Sequence, residues 1–308
     1  MTSAALFSSK PSIEKAYSPT AGLITLTFST VAIVFLLPVL AGLPVGLGVL
    51  AGACFLLSHV MRALRLAVLS MDMLGISGRT AMLAHFATAP IALALPFKTG
   101  EVLRLYELSR LGGSLIYAAI VLFVDRMFDT LFLIPLVAFL LWQGSAAPVL
   151  VALTALAAFV PLIVITVGPR ILTEAQRHVV ATHNGRGALN TLKTIDAIRN
   201  IVHHAARVSR QQAATLALLS ALVWLLEFIV CALLVSVLAG AQFDPFVLLG
   251  DRLTTDWWSA AQEPVVLSSI ILTVIALLAI WPLVTAFYAV RRAHALTKRT
   301  DTSRRAQP

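Results

Sequence analysis

The chain has 308 residues, 59% of them hydrophobic and only 12% charged, with a mean hydropathy of +0.92. Polar surface on that scale cannot cover the apolar side chains, so composition excludes a soluble globular protein and predicts an all-α polytopic membrane helical bundle. The formal net charge of +9 does not point to nucleic acid, because the basic residues flank apolar segments, where they set orientation and meet anionic lipid.

Residues 1–20 form a polar N-terminal tail with Lys10, Glu14 and Lys15. The apolar run at 21–41 reaches the ~20 residues a bilayer crossing needs, and it exceeds the core of a secretory signal, so it reads as a retained first span. After Pro44 a second span is expected at 45–60, ending at His59, Arg62 and Arg65. The segment 80–97 has nearly spanning length, but Pro90 and Pro96 interrupt it and His85 lies within it. Four further spans read clearly at 114–142, 147–168, 212–239 and 264–290.

Charge parity decides the ambiguous segment. If 80–97 does not cross, the basic residues of 61–113, of 170–210 and of both tails share one side. The opposite loops then hold Arg252 against Asp244, Asp251, Asp256 and Glu263, a strong positive-inside pattern. About six spans are therefore predicted, with both termini cytoplasmic and 80–97 re-entrant or interfacial. Backbone that re-enters is tolerated only where protein or water covers it, so it should line a cavity. The membrane domain is placed at 21–290, with a cytoplasmic amphipathic insertion at 170–211 and a basic, disordered tail at 291–308. Within the insertion, Leu192, Ile195, Ile198, Val202 and Ala205 recur at helical spacing among basic residues. That pattern suits a helix on the membrane surface and a solvated connector equally. Trp257 and Trp258 read as interfacial anchors. Cys54 and Cys231 sit inside apolar segments and do not form a disulfide framework.

The charges inside the spans carry the functional reading. Asp125 and Asp129 are one helical turn apart, and Arg126 can pair with Asp129 three residues on. Glu227 lies in the middle of the fifth span. A single Arg or Asp at a helix centre costs roughly 2.5–3.5 kcal/mol to insert. With three acids and one base, either a carboxyl is protonated or another cation approaches. Lys98 and Arg104 of the polar run after Pro96 are the candidates, with Glu101 as a further partner. Together these residues predict a polar cavity for a lipid headgroup, in which Arg126, Arg104 and Lys98 meet phosphate. The plainer alternative is a buried Arg126–Asp129 clamp between helices. His203 and His204 point apart on a helix, and His178 and His183 lack further ligands, so no metal, cofactor or catalytic residue is expected.

At these residues the chain resembles the lysylphosphatidylglycerol synthase transmembrane-region family, a flippase-like membrane domain. The matching features are Arg62 and Arg65, then Gly100-Glu101-x-x-Arg104, then Asp125-Arg126-x-x-Asp129. The family usually has Glu where Asp125 stands. The resemblance implies an inner-membrane domain that binds or moves lipids, in some members beside a soluble aminoacyl-transferase domain. Only about twenty residues follow the last span, so that domain is not expected here. The expected function is non-enzymatic binding or translocation of a phospholipid or other phosphate-bearing lipid, with anionic membrane lipids as partners and no nucleic acid. The alternative is a non-transporting accessory subunit of a membrane lipid- or glycan-modifying enzyme, docked through the 170–210 helix. A transferase ranks last, for want of a recognisable nucleophile or metal motif.

Overall fold

The computed structural model describes residues 19–40, 42–94, 99–142, 148–182, 185–238, 244–254 and 264–305. All regular structure among them is helical. Helix α1 (Pro19–Leu36) runs into a 3₁₀ turn at Leu37–Leu40, and α2 (Val45–Leu74), α3 (Gly78–Ala94), α4 (Thr99–Gly112) and α5 (Leu115–Trp142) follow. Then come α6 (Pro148–Thr182), α7 (Arg186–Gln211), α8 (Ala213–Leu238), α9 (Pro245–Thr254) and α10 (Pro264–Arg305). Proline opens α1, α6, α9 and α10, a position where its missing N–H leaves no helical bond unmade. Gly75 and Gly113, with φ of 64° and 77°, stop α2 and α4 in the left-handed conformation that a side chain disfavours.

Four helices carry stretches long and apolar enough to cross a membrane: Val45–Leu74, Thr154–Thr182, Ala213–Ser236 and Val266–Tyr288. The first expected span is present as a shorter apolar helix, Ile24–Leu40. The third is α5, whose 28 residues give about 42 Å of helix but carry Asp125, Arg126 and Asp129 at mid-length. The second span does not end near residue 60. It continues to Leu74, because Arg62 and Arg65 are paired inside the bundle and do not mark a boundary. The 291–308 tail also differs from expectation: α10 continues through Arg305, in keeping with the helix formers at 291–299. Lys98, Trp257, Trp258 and the 1–18 tail lie outside the described residues.

The ambiguous 80–97 segment is one limb of a hairpin. Helix α3 keeps Pro90 in its interior, and α4 returns alongside it. The tip is tight: a Cβ added to Gly100 would lie 2.2 Å from Ala92 Cα. Both feet rest against one end of α2. A Cβ on Gly78 would meet Met71 Sδ at 3.0 Å, and one on Gly112 would meet Leu74 Cδ2 at 2.6 Å. The hairpin therefore enters and leaves on one face of the bundle, its tip inserted beside the middle of α2. Glu107 accepts a hydrogen bond from Tyr288 Oη at 2.8 Å, and Trp281 Nε1 donates to the Ala87 carbonyl at 3.0 Å, so α10 holds both limbs.

Beyond the membrane-like part, α6 and α7 form an arm. They pack side by side in opposite directions: Gly168 lies against Val202, and Arg199 donates to Gln176 at 2.5 Å. Gln212 Nε2 donates to Asp72 at 3.2 Å, which ties the base of the arm to the end of α2 where the hairpin opens. From Gly168 to Thr182 the arm extends about 21 Å. The predicted amphipathic helix thus exists, and it packs on α6.

Candidate functional site

Two apolar clusters divide the bundle, and the charges lie between them. One gathers Leu66, Leu69, Met73, Leu108, Val121 and Leu216; the other gathers Ala51, Phe55, Val230, Leu234, Leu248 and Leu277. On α2 the interval between the clusters holds Ser58, His59, Arg62 and Arg65, spaced to lie on one helix face. On α8 it holds Ser220, Trp224 and Glu227, again three and four residues apart.

Arg65 is the hub. Its Nε donates to Asp125 Oδ1 at 2.6 Å, and its Nη1 donates to Asp129 Oδ1 and Ser220 Oγ, each at 2.6 Å. Its side chain is 0% exposed. Arg126 Nη1 donates to Asp129 Oδ2 at 3.2 Å, and Arg126 Nη2 donates to Glu101 at the hairpin tip. Arg104 Nη1 donates to the same Glu101 carboxylate at 3.2 Å and its Nε to Thr88 Oγ1 at 3.3 Å. On the α8 side, Glu227 Oε1 accepts from Ser58 at 2.9 Å and from Arg62 at 3.3 Å, while the Arg62 guanidinium lies 5.8 Å from the centre of the Trp224 ring. His59 Nδ1 and His85 Nε2 meet at 3.2 Å across α2 and α3.

These groups surround one cavity of about 240 Å³. Its lining includes Arg62, Arg65, Arg104, Arg126, Glu101, Asp125 and Glu227, with His59, His85 and Trp224. Four donor atoms at this site are buried without a hydrogen-bond partner among the described residues: Arg62 Nε, Arg65 Nη2, Arg126 Nε and Trp224 Nε1. Such atoms are costly to leave unmade, and they suit water or an acceptor-rich anion. Arg126 is also the most open of the four guanidinium groups at this cavity, with 43% of its side chain exposed.

Six of the seven residues singled out from sequence therefore converge: Glu101, Arg104, Asp125, Arg126, Asp129 and Glu227. Lys98 lies outside the described residues. Of the two cations expected to make up the charge deficit, Arg104 pairs with Glu101, and α2 adds two more that were not expected. Arg65 and Arg62, assigned from sequence to the end of a span, supply the missing cations from α2. With Arg104 and Arg126 they make four guanidinium groups against four carboxylates. The signal was present: Ser58, His59, Arg62 and Arg65 share a face, and no Gly or Pro lies between Gly52 and Gly75. Ser220 and Trp224, two turns and one turn before Glu227, carried no comparable signal in an apolar run.

A family model described as "Lysylphosphatidylglycerol synthase TM region" matches residues 4–249, which takes in the hairpin, α5 and all of α8. No curated protein and no solved structure matches the chain.

Proposed function

The chain belongs to the lysylphosphatidylglycerol synthase transmembrane-region family, and from that premise we propose that it binds and translocates a phosphate-bearing lipid without modifying it chemically. It is an integral membrane protein of a lipid-handling family. The finer reading is carried by one observation: four buried donors without partners converge on a cavity that the hairpin reaches from one face of the bundle. A phosphodiester offers acceptor oxygens to fill them, and guanidinium groups suit it through paired, charge-assisted bonds. In this reading Arg62 and Arg126 meet the headgroup, and Arg65 holds Asp125 and Asp129 in place behind it. Arg104 acts through Glu101, which it shares with Arg126. The acyl chains remain in the bilayer while the headgroup passes the hairpin tip. The protein sits in the bacterial inner membrane with both termini, the hairpin feet and the basic arm on the cytoplasmic side. Movement is passive, ion-coupled or driven by a partner, since the sequence holds no P-loop.

The test is a headgroup-accessibility assay on vesicles reconstituted with the purified protein and a fluorescent phosphatidylglycerol. The parent is expected to expose inner-leaflet label to an external quencher, and Arg126→Ala and Glu101→Ala to slow this by at least ~10-fold, the equivalent of one lost charge-assisted contact. Equal rates in parent and variants would remove the site from the lipid path. The arm favours a second reading, an accessory subunit that docks an enzyme. No flipping by the isolated parent, together with a stoichiometric co-purifying enzyme, would select it.

A further inference from the structure

We infer that α9 is a gate on the lipid path: it closes the cavity at the end of the bundle opposite the hairpin feet, and the headgroup passes there, between α5 and α8, when α9 withdraws. The inference rests on the headgroup reading above and adds the exit to it.

The first observation is where the cavity is closed. The two apolar clusters bracket it along the bundle axis. Toward the feet the seal includes Leu69 and Met73 of α2 and Leu108 of α4. Toward the other end the long helices α2, α8 and α10 supply most of the seal, and α9 adds Leu248 and Leu249, which are 0% and 4% exposed. Leu249 also lines the cavity, so at this point α9 is the wall between the charged site and the far end of the bundle.

The second observation is how α9 is held. It lies against α5, α8 and α10. The Phe246 ring sits between two others: its centre is 4.5 Å from that of Phe228 on α8 and 4.9 Å from that of Phe139 on α5. Phe246 is 36% exposed, so it forms the rim that ties α5 to α8, and Leu249 forms the inner face. These contacts are apolar and non-directional, and they can part and re-form without stranding a polar group. The hairpin, which closes the other side, is held by directional bonds: Tyr288 Oη to Glu107, Trp281 Nε1 to the Ala87 carbonyl, and Arg126 to Glu101.

Of the two closures, α9 is thus the one that opens at the smaller polar cost. With 10 residues it is too short to be stable away from its packing, so its position follows from the apolar contacts alone or from what replaces them. Its sequence turns polar after Leu249, with Asp251, Arg252 and Thr254, which suits a helix at the membrane surface. A headgroup leaving Arg62 and Arg126 toward this end meets Leu249 first, and it displaces an apolar plug rather than an ion pair. When the plug returns, it shuts out water as well, the way a hydrophobic constriction gates a channel.

The experiment uses the full chain in oriented phosphatidylcholine vesicles, in a Cys54→Ser/Cys231→Ser background. Ala89 lines the cavity from α3 and is 1% exposed. An Ala89→Cys variant should react slowly with an impermeant thiosulfonate from the α9 side, and at least ~10-fold faster once Phe246→Ala is added, with the rate from the feet side unchanged. In a separate Phe139→Cys/Phe246→Cys variant, a short reducible bis-thiosulfonate should slow translocation of fluorescent phosphatidylglycerol by at least ~10-fold, and reduction should restore it. A lock on the arm, Gly168→Cys/Val202→Cys, should leave the rate within about threefold of the parent. Labelling of position 89 that ignores Phe246→Ala or rises equally from both sides, a 139–246 lock that leaves the rate unchanged, or equal slowing by both locks would overturn the gate. Translocation by the parent would then leave the headgroup reading in place. If the parent moves no lipid while labelling from the α9 side rises with Phe246→Ala, the gate stands as the opening of the cavity and the translocation reading falls.

Discussion

Arg65 holds Asp125, Asp129 and Ser220 with a single guanidinium, and none of its side chain is exposed. Removing one member of such a pair strands the other charges in a poorly solvated interior, at a typical cost of about 3–5 kcal/mol. Arg65→Met should therefore lower the thermal midpoint strongly. Arg65→Lys should fall between, since an ammonium keeps the charge and loses the fork. Adding Asp125→Asn and Asp129→Asn to Arg65→Met should restore part of the loss, because the stranded charges go with their partner. Thermal unfolding in detergent checks all three, and a midpoint for Arg65→Met equal to the parent's would contradict the pairing. The sequence makes the acids of α5 visible because a charge is conspicuous in an apolar run. It hides Arg62 and Arg65, because a basic pair that begins seventeen residues into an apolar helix looks like the end of a span. What settles the matter is tertiary: the partners lie 60 and 64 residues away in sequence.

At the scale of the element, the α3–α4 hairpin depends on close approach. The space beside Gly100 is filled by Ala92 backbone and Cβ, whereas that beside Gly112 is filled mainly by the flexible end of Leu74. Gly100→Ala must push the limbs apart and draw Glu101 away from Arg126. Gly112→Ala requires only a side-chain adjustment. The first should reduce lipid translocation by ~10-fold or more with unchanged helical content by circular dichroism, and the second should stay within about threefold of the parent. Similar rates for the two would mean that tip closure does not matter. The prolines at 90 and 96 mark the segment in the sequence as something other than a plain span, although α3 runs through Pro90. The return limb is harder to read, because Arg104, Glu107, Leu108 and Leu111 are its buried face. A helix that buries charges against a charged partner matches neither a spanning pattern nor a surface one.

Over the whole molecule, the hairpin feet, the end of α2 and the base of the arm share one face. Arg62, Arg65 and Arg104 drop out of the positive-inside count, since they are buried or paired within the bundle. Arg79, Arg110 and the seven basic residues of 170–211 remain, against Glu174 and Asp196 on the arm. The charge bias behind the proposed orientation thus persists even though three of the charges counted are not in loops. Single cysteines at Arg79, Arg110 and Arg186, in a Cys54→Ser/Cys231→Ser background, should react with an impermeant maleimide from the same side of oriented vesicles. Labelling of position 79 and position 110 from opposite sides would rule out the hairpin. The central claim, that paired charges in mid-bundle enclose a site for a lipid phosphate, is tested most directly by native mass spectrometry of the protein as extracted from its membrane. The account predicts a phosphate-bearing lipid bound to the parent and at least ~10-fold lower occupancy in Arg62→Ala/Arg126→Ala. Equal occupancy by the same lipid in parent and variant would contradict it.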